Sequence, residues 1–264
     1  MAEPATVRLE QRPFPRMVSN PIVIIPARLA ASRLPGKPLA DIGGAPMIVR
    51  VLRQAEAAGV GPVAVAAADP EIVEAVEAAG GRAVLTDPAL PSGSDRMLAA
   101  LQTLDPEGRH EIVVNLQGDM AVFGPEVVRA PVARLQAEPA CDIATLVAAE
   151  RSPADRTNVD VPKAVLAIAP DRRSGRALYF TRSTLYGDDP VWLHIGVYAY
   201  RRAALTRFAA APPSPLERRE KLEQLRALEL GLRIDAAVVD AFPLEVNNPA
   251  DLAAVRAHLE SAVA

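Results

Sequence analysis

The feature that most constrains this chain is an unbroken apolar run, Ile22, Val23, Ile24 and Ile25, halted by Pro26. Such a run has no wet face and no dry face, so it reads as a strand covered on both sides. Similar runs recur at 63–66, 83–85 and 111–116. Helical segments lie between them: 47–58 closed by Gly59, a helix from Pro70 that stops before Gly80 and Gly81, and 94–104. Alternating strands and helices imply an α/β fold with a doubly wound, parallel sheet and right-handed crossovers. Ligands bind such sheets beyond the carboxyl ends of the strands, so the segments after Ile25, Ala66 and Leu116 are expected to line one mouth.

From about residue 142 the pattern becomes β-rich. Strands are expected at 143–148, 163–168 and 197–200, then a long helix at 216–231, a last strand at 234–239 and a terminal helix opening at Pro249. With no repeat and no long linker, residues 21–264 read as one domain, in which the second half joins or packs beside the same sheet. Residues 1–20 mix Arg8, Arg12 and Arg16 with Glu3, Glu10 and several prolines. They lack the apolar core of a targeting peptide and read as a disordered tail.

Composition narrows the function. Half the residues are apolar but only 4% are aromatic, so Ala, Val and Leu fill the core. The net charge of −3 comes from interspersed charges, which gives no basic face for nucleic acid. The single cysteine, Cys141, excludes an internal disulfide or a multi-cysteine metal site and reads as structural, in keeping with a reducing cytoplasm. No apolar run approaches the ~18 residues of a membrane span.

The chemistry concentrates in I-P-A-R-L-A-A-S-R-L-P-G-K-P-L, residues 25–39. A buried strand leads into a loop carrying Arg28, Ser32, Arg33, Gly36 and Lys37. Its cations and free backbone amides suit a triphosphate, and glycine allows close approach. It is neither a Walker A loop nor a G-x-G-x-x-G fingerprint.

At this loop the chain resembles the 3-deoxy-manno-octulosonate (Kdo) cytidylyltransferases. The resemblance continues through S-G-S-D-R at 92–96, N-L-Q-G-D at 115–119 and A-L-Y-F-T-R at 177–182, then H-I-G-V-Y at 194–198, S-P-L-E at 214–217 and L-E-Q-L-R at 222–226. It covers nearly all of 22–256 in order. It implies a Rossmann-like, mostly parallel sheet of the nucleotide-diphospho-sugar transferase type, with a β-rich subregion at 142–215 for the sugar acid and for dimerisation. By the same resemblance, Arg28, Ser32, Arg33 and Lys37 hold the CTP phosphates, Ser94, Arg96 and Gln117 contact the cytidine, and Asp119 coordinates Mg²⁺. Arg182, His194, Tyr198, Glu223 and Gln224 would form the sugar-acid pocket. The implied reaction is in-line attack of the sugar's anomeric hydroxyl on the α-phosphorus of CTP, with pyrophosphate leaving. A cytoplasmic homodimer serving lipopolysaccharide synthesis is implied too. Taken alone, His194 would read as structural, Glu223 and Gln224 as a solvated helix face, and Asp119 as a helix cap.

The chain departs from the family where its chemistry sits. Met120 and Ala121 stand where an acidic residue and proline are usual. Ala68, followed by Asp69, stands where an acid is usual after the second strand, and 158–163 also differs. The late V-D-T-P, whose Asp is the second Mg²⁺ ligand, is here Val246, Asn247, Asn248 and Pro249. Asn247 offers a carbonyl oxygen but no charge. Asp251 and Glu245 are nearby carboxylates that could compensate. Three readings stay open: a working Kdo enzyme with a relaxed metal site, a cytidylyltransferase for a related acid such as 8-amino-Kdo or sialic acid, and a silent nucleotide binder.

Overall fold

In the computed structural model, residues 20–30, 33–240 and 242–263 are described; the expectations for the N-terminal tail and for Ser32 lie outside them. The first apolar run forms β1 (Pro21–Ala27). Its pairing with the neighbour on one side ends at Ile24, whose carbonyl accepts from Leu116 N–H at 3.2 Å. Pro26 would present its missing N–H on that same side, beyond the end of the ladder, so the strand continues through it.

The chain then runs through α1 (Met47–Ala57), β2 (Val63–Ala67), α2 (Pro70–Ala78), β3 (Ala83–Leu85), α3 (Gly93–Leu104) and β4 (Ile112–Asn115). After these come β5 (Met120–Val122), α4 (Glu126–Ala137), β6 (Ile143–Ala149), α5 (Pro153–Thr157), β7 (Lys163–Ile168), β8 (Ser174–Thr181) and β9 (Trp192–Arg201). The last elements are α6 (Arg202–Ala210), α7 (Pro215–Glu220), α8 (Gln224–Glu229), β10 (Ile234–Val238), β11 (Leu244–Glu245) and α9 (Pro249–Val263).

Nine strands form one sheet in the order β3-β2-β1-β4-β9-β6-β10-β8-β7. The expected parallel character holds for β3-β2-β1-β4 and for β6 with β10, whereas β9, β8 and β7 run antiparallel to their neighbours. The sheet is therefore mixed: β7 and β8 form a hairpin, and β9 inserts antiparallel between β4 and β6. β7 also pairs with the start of β9, which closes β9, β6, β10, β8 and β7 into a ring.

Both faces are covered. Val23 and Ile25 of β1 join the core beneath α1 and α4, while Ile22 and Ile24 join the one beneath α3 and α6. The same period-two split puts Ile195, Val197 and Ala199 of β9 in the first core and Tyr198 and Tyr200 in the second.

The single helix expected at 216–231 is instead two. Lys221 adopts φ 56 and ends α7, and α8 starts afresh at Gln224. Burial of Leu222 and Leu225, with Arg226 paired to Glu217 at 2.7 Å, folds α8 back onto α7. Local helix propensity loses to that tertiary contact. The small β5–β11 ribbon, α4 and β8 carried too little sequence pattern to be expected.

Asp235 on β10 is fully buried and accepts from Arg134 Nε of α4 at 3.0 Å and Arg233 Nε at 2.9 Å. Removing the carboxylate leaves those guanidinium groups without their buried partner. Asp235→Ala is expected to lower the unfolding free energy by roughly 3–5 kcal/mol in urea titrations; a loss below about 1 kcal/mol would contradict this reading.

Candidate active site

The loop after β1 is shaped by two ties. Leu29 N–H donates to Asp69 Oδ2 at 2.7 Å, and Gly36 N–H donates to Leu29 O at 3.1 Å. Asp69 occupies the N-cap position of α2, yet its side chain makes no cap there and reaches across to the loop. Gly36 adopts φ 71, a conformation glycine takes without steric penalty, and a short 3₁₀ turn at Lys37–Leu39 follows.

That turn aims Lys37 at the end of β4. Its Nζ donates to Asp119 Oδ2 at 2.9 Å and to Val246 O at 3.0 Å. Arg33 Nη2 donates to Asn247 Oδ1 at 3.2 Å. Asp119 is followed by β5, so it caps no helix, and its carbonyl accepts from Val246 N–H at 2.9 Å. A Cβ on Gly118 would lie 3.0 Å from Pro26 O, so glycine lets the loops after β1 and β4 touch.

These segments enclose a cleft of about 830 Å³ beyond the carboxyl ends of β1 and β4. Arg28, Arg33, Lys37, Arg96, Gln117, Asp119 and Asn247 line it, together with Pro91, Ser92 and Gly93. Arg96 is buried and donates to Thr86 Oγ1 at 2.6 Å and Asp87 O at 3.1 Å. Burial and then the Arg28 charge lower its pKa, against the charges of Asp69 and Asp87. Gln117 Nε2 donates to Asn115 Oδ1 at 3.1 Å. Four cations around one carboxylate suit a polyanion.

Ser94, expected at the base, instead turns behind the cleft and donates to Glu223 Oε2 at 2.9 Å. Burial raises the Glu223 pKa against hydrogen bonds from Ser94 and Ser92. Pro91 and Ser92 line both the cleft and an adjoining hollow of about 790 Å³ that Glu223 also lines. Glu223 acts electrostatically on Tyr198, whose ring centroid lies 5.5 Å from that of His194. Burial pushes the His194 pKa down to about 3, so the ring is neutral, and its Nε2 lies 3.0 Å from Thr145 Oγ1. Between His194 and Tyr198 stands Gly196, where a Cβ would meet nothing within 4 Å. Gln224 is buried with its Nε2 unpartnered, a polar donor without an internal acceptor.

Arg182 stands apart from this group. Its Nη1 donates to Val159 O and Asp160 O at 3.1 Å each, and fully buried Lys163 holds the Arg182 carbonyl at 3.1 Å. Cys141 is buried, and burial first, then Asp235, pushes its thiol up to about 12, as befits a structural residue. Asp69, which the sequence offered only as an acid following Ala68, shapes the site through a contact that leaves no local pattern.

The sheet and the cationic cleft define a nucleotide-binding α/β protein of the nucleotidyltransferase class. The sequence matches the model of the cytidylyltransferase family over residues 22–234. A 3-deoxy-manno-octulosonate cytidylyltransferase of Rhodospirillum centenum is 59% identical over 91% of this chain and 94% of its own length. One from Rhodopseudomonas palustris (strain BisB5) is 60% identical over 89% and 96%. The solved structure of CMP:2-keto-3-deoxy-manno-octonic acid synthetase complexed with CTP is 37% identical. It superposes with a TM-score of 0.85 over 92% of this chain and 100% of that one. The chain belongs to the 3-deoxy-manno-octulosonate cytidylyltransferase family. A 4-diphosphocytidyl-2C-methyl-D-erythritol synthase of Anaerococcus prevotii, 13% identical with a TM-score of 0.62, shares the fold alone.

Asp69→Ala is expected to release the loop at Leu29 and weaken CTP binding by about tenfold in calorimetry, the loss of one charge-assisted hydrogen bond. Unchanged CTP affinity would show that the loop holds its shape without Asp69.

Proposed function

We propose that the chain joins CTP to 3-deoxy-manno-octulosonate, giving CMP-Kdo and pyrophosphate. The observation that carries this reading is the cleft itself. Lys37 pairs with the Asp119 carboxylate, and Arg33, Arg28 and Arg96 line the same cleft at the carboxyl ends of the parallel strands. Relatives named for this reaction cover nearly the whole chain.

Arg28, Arg33 and Lys37 bind the triphosphate, together with backbone amides of the loop that also carries Ser32. Arg96 and Gln117 face the nucleoside, and Ser94, on the same helix as Arg96, donates to Glu223. Negative charge grows on the transferring phosphoryl group and on departing pyrophosphate, and the fixed cations offset it. No residue acts as a nucleophile. The sugar's anomeric hydroxyl attacks the α-phosphorus, and pyrophosphate leaves in line. His194, Tyr198, Glu223 and Gln224 form the sugar-acid side. The gap at Gly196 and the unpartnered Gln224 amide support that assignment. Arg182 reaches the sugar carboxylate only by leaving the Val159 and Asp160 carbonyls.

Asp119, with the Asn247 carbonyl, fits a Mg²⁺ ion that also takes phosphate oxygens and water, since this ion needs only one or two carboxylates from protein. When bound it supplies charge neutralisation of the phosphates. Exposed Leu178 and Val159, at 55% and 60%, lie in the β-rich subregion and support a homodimer formed there. Work in the cytoplasm on a precursor of lipopolysaccharide follows from the family resemblance; no helix among the described residues is long and apolar enough to cross a membrane.

The expected result is pyrophosphate release from CTP and Mg²⁺ only when Kdo is added. Release with 8-amino-Kdo or sialic acid but not Kdo would assign a related acid instead. CTP binding without release with any acid would leave a silent nucleotide binder.

A further inference from the structure

We propose that Glu245 supplies the second carboxylate for the divalent cation of the nucleotide complex, in place of the acidic residue that Asn247 has lost. The inference rests on the cytidylyltransferase reading and deepens it at the same cleft.

Asn247 stands where the resemblance puts the second acidic ligand, but its side chain is neutral and already engaged. Its Oδ1 accepts from Arg33 Nη2 at 3.2 Å, and its side chain also hydrogen-bonds the Glu245 carboxylate. Asp251 is equally committed. Its Oδ2 accepts from the backbone N–H of Asn247 at 2.8 Å and of Asn248 at 3.2 Å, which fixes the entry to α9. Reaching a metal would break that cap.

Glu245 is placed differently. It lies two residues before Asn247, and Val246 between them is 0% exposed and packed in the core. Extended backbone sends alternate side chains to opposite faces, so Glu245 and Asn247 share the face away from that core. Asn247 lines the cleft, which puts Glu245 at its rim. In the β5–β11 ribbon Glu245 pairs with Met120, the residue after Asp119, and Val246 N–H donates to Asp119 O at 2.9 Å. The Asp119 and Glu245 charges act on each other across this ribbon.

A cation already sits at the junction. The Lys37 ammonium lies 2.9 Å from Asp119 Oδ2 and 3.0 Å from Val246 O, the carbonyl between Glu245 and Asn247. Among the described residues no group of three or more His, Cys, Asp or Glu could hold a metal. Mg²⁺ takes one or two protein carboxylates when phosphate and water complete its shell, a number that Asp119 and Glu245 together supply. Glu245 is exposed, and the Asn247 side chain that meets Arg33 also holds its carboxylate.

The test is Mn²⁺ binding to the CTP complex, read by the loss of the free-Mn²⁺ electron paramagnetic signal, with no sugar present. Glu245→Gln is expected to weaken Mn²⁺ by about tenfold or more, Glu245→Asp to retain most of the affinity, and Asn247→Asp in the Glu245→Gln background to restore it. CTP binding in EDTA should be the same for all variants, which checks folding and the nucleotide cleft. Wild-type Mn²⁺ affinity in Glu245→Gln overturns the proposal while leaving the reaction standing. Failure of the unsubstituted chain to bind CTP in EDTA overturns the parent reading, and the proposal with it.

Discussion

The geometry of the cleft hangs on one ammonium group. Lys37 Nζ bridges Asp119 Oδ2 and the Val246 carbonyl, and so ties the loop after β1, the turn after β4 and the short ribbon strand β11 to one point. These segments are far apart in sequence, and each comes from an irregular stretch with little secondary structure of its own. A partly exposed ion pair contributes little to global stability, on the order of 1 kcal/mol. Its consequence is positional: it aligns a cation and a carboxylate before any nucleotide arrives, so less order has to be created on binding.

The surrounding interactions extend that alignment outward. Asp69 fixes the start of the loop at Leu29, Gly118 lets the loops touch, and Arg33 reaches Asn247 at the far wall. Behind the cleft, Ser94 and Glu223 connect the nucleotide side to the aromatic row on β9 through the hydrogen bond at 2.9 Å. His194 stays neutral there because burial holds its pKa near 3. It therefore presents a hydrogen-bonding ring rather than a charge, and the positive charge of the region lies with the cations of the cleft.

Much of the fold was legible because its first half is built from strands buried on both faces. Four apolar runs and the glycine and proline punctuation between them specified β1 to β4 and their helices. The cationic loop was legible for the same reason, since Arg28, Arg33, Lys37 and Gly36 follow a recognisable strand. The second half was harder to read. β7 and β8 form a hairpin while β9 closes a ring by pairing with strands distant in sequence, and the break at Lys221 is imposed by the packing of Leu222, Leu225 and Arg226 rather than by a helix-breaking residue. The role of Asp69 depends on a contact forty positions away, and that of Asp119 on a ribbon of which β11 is only two residues long. Neither leaves a local pattern. The outward commitment of Arg182 to Val159 and Asp160 was equally invisible, because carbonyl acceptors have no sequence signature.

The most direct test of this account is the turnover of Lys37→Met, measured as pyrophosphate release beside its unfolding free energy. The substitution keeps an unbranched side chain of similar bulk and removes the ammonium group that joins Asp119 to Val246. The account predicts a loss of roughly 100-fold or more in kcat/KM, with a stability change of no more than about 1 kcal/mol. Turnover within a few-fold of the unsubstituted chain would contradict it, since the cleft would then be organised without the ammonium group on which this reading depends.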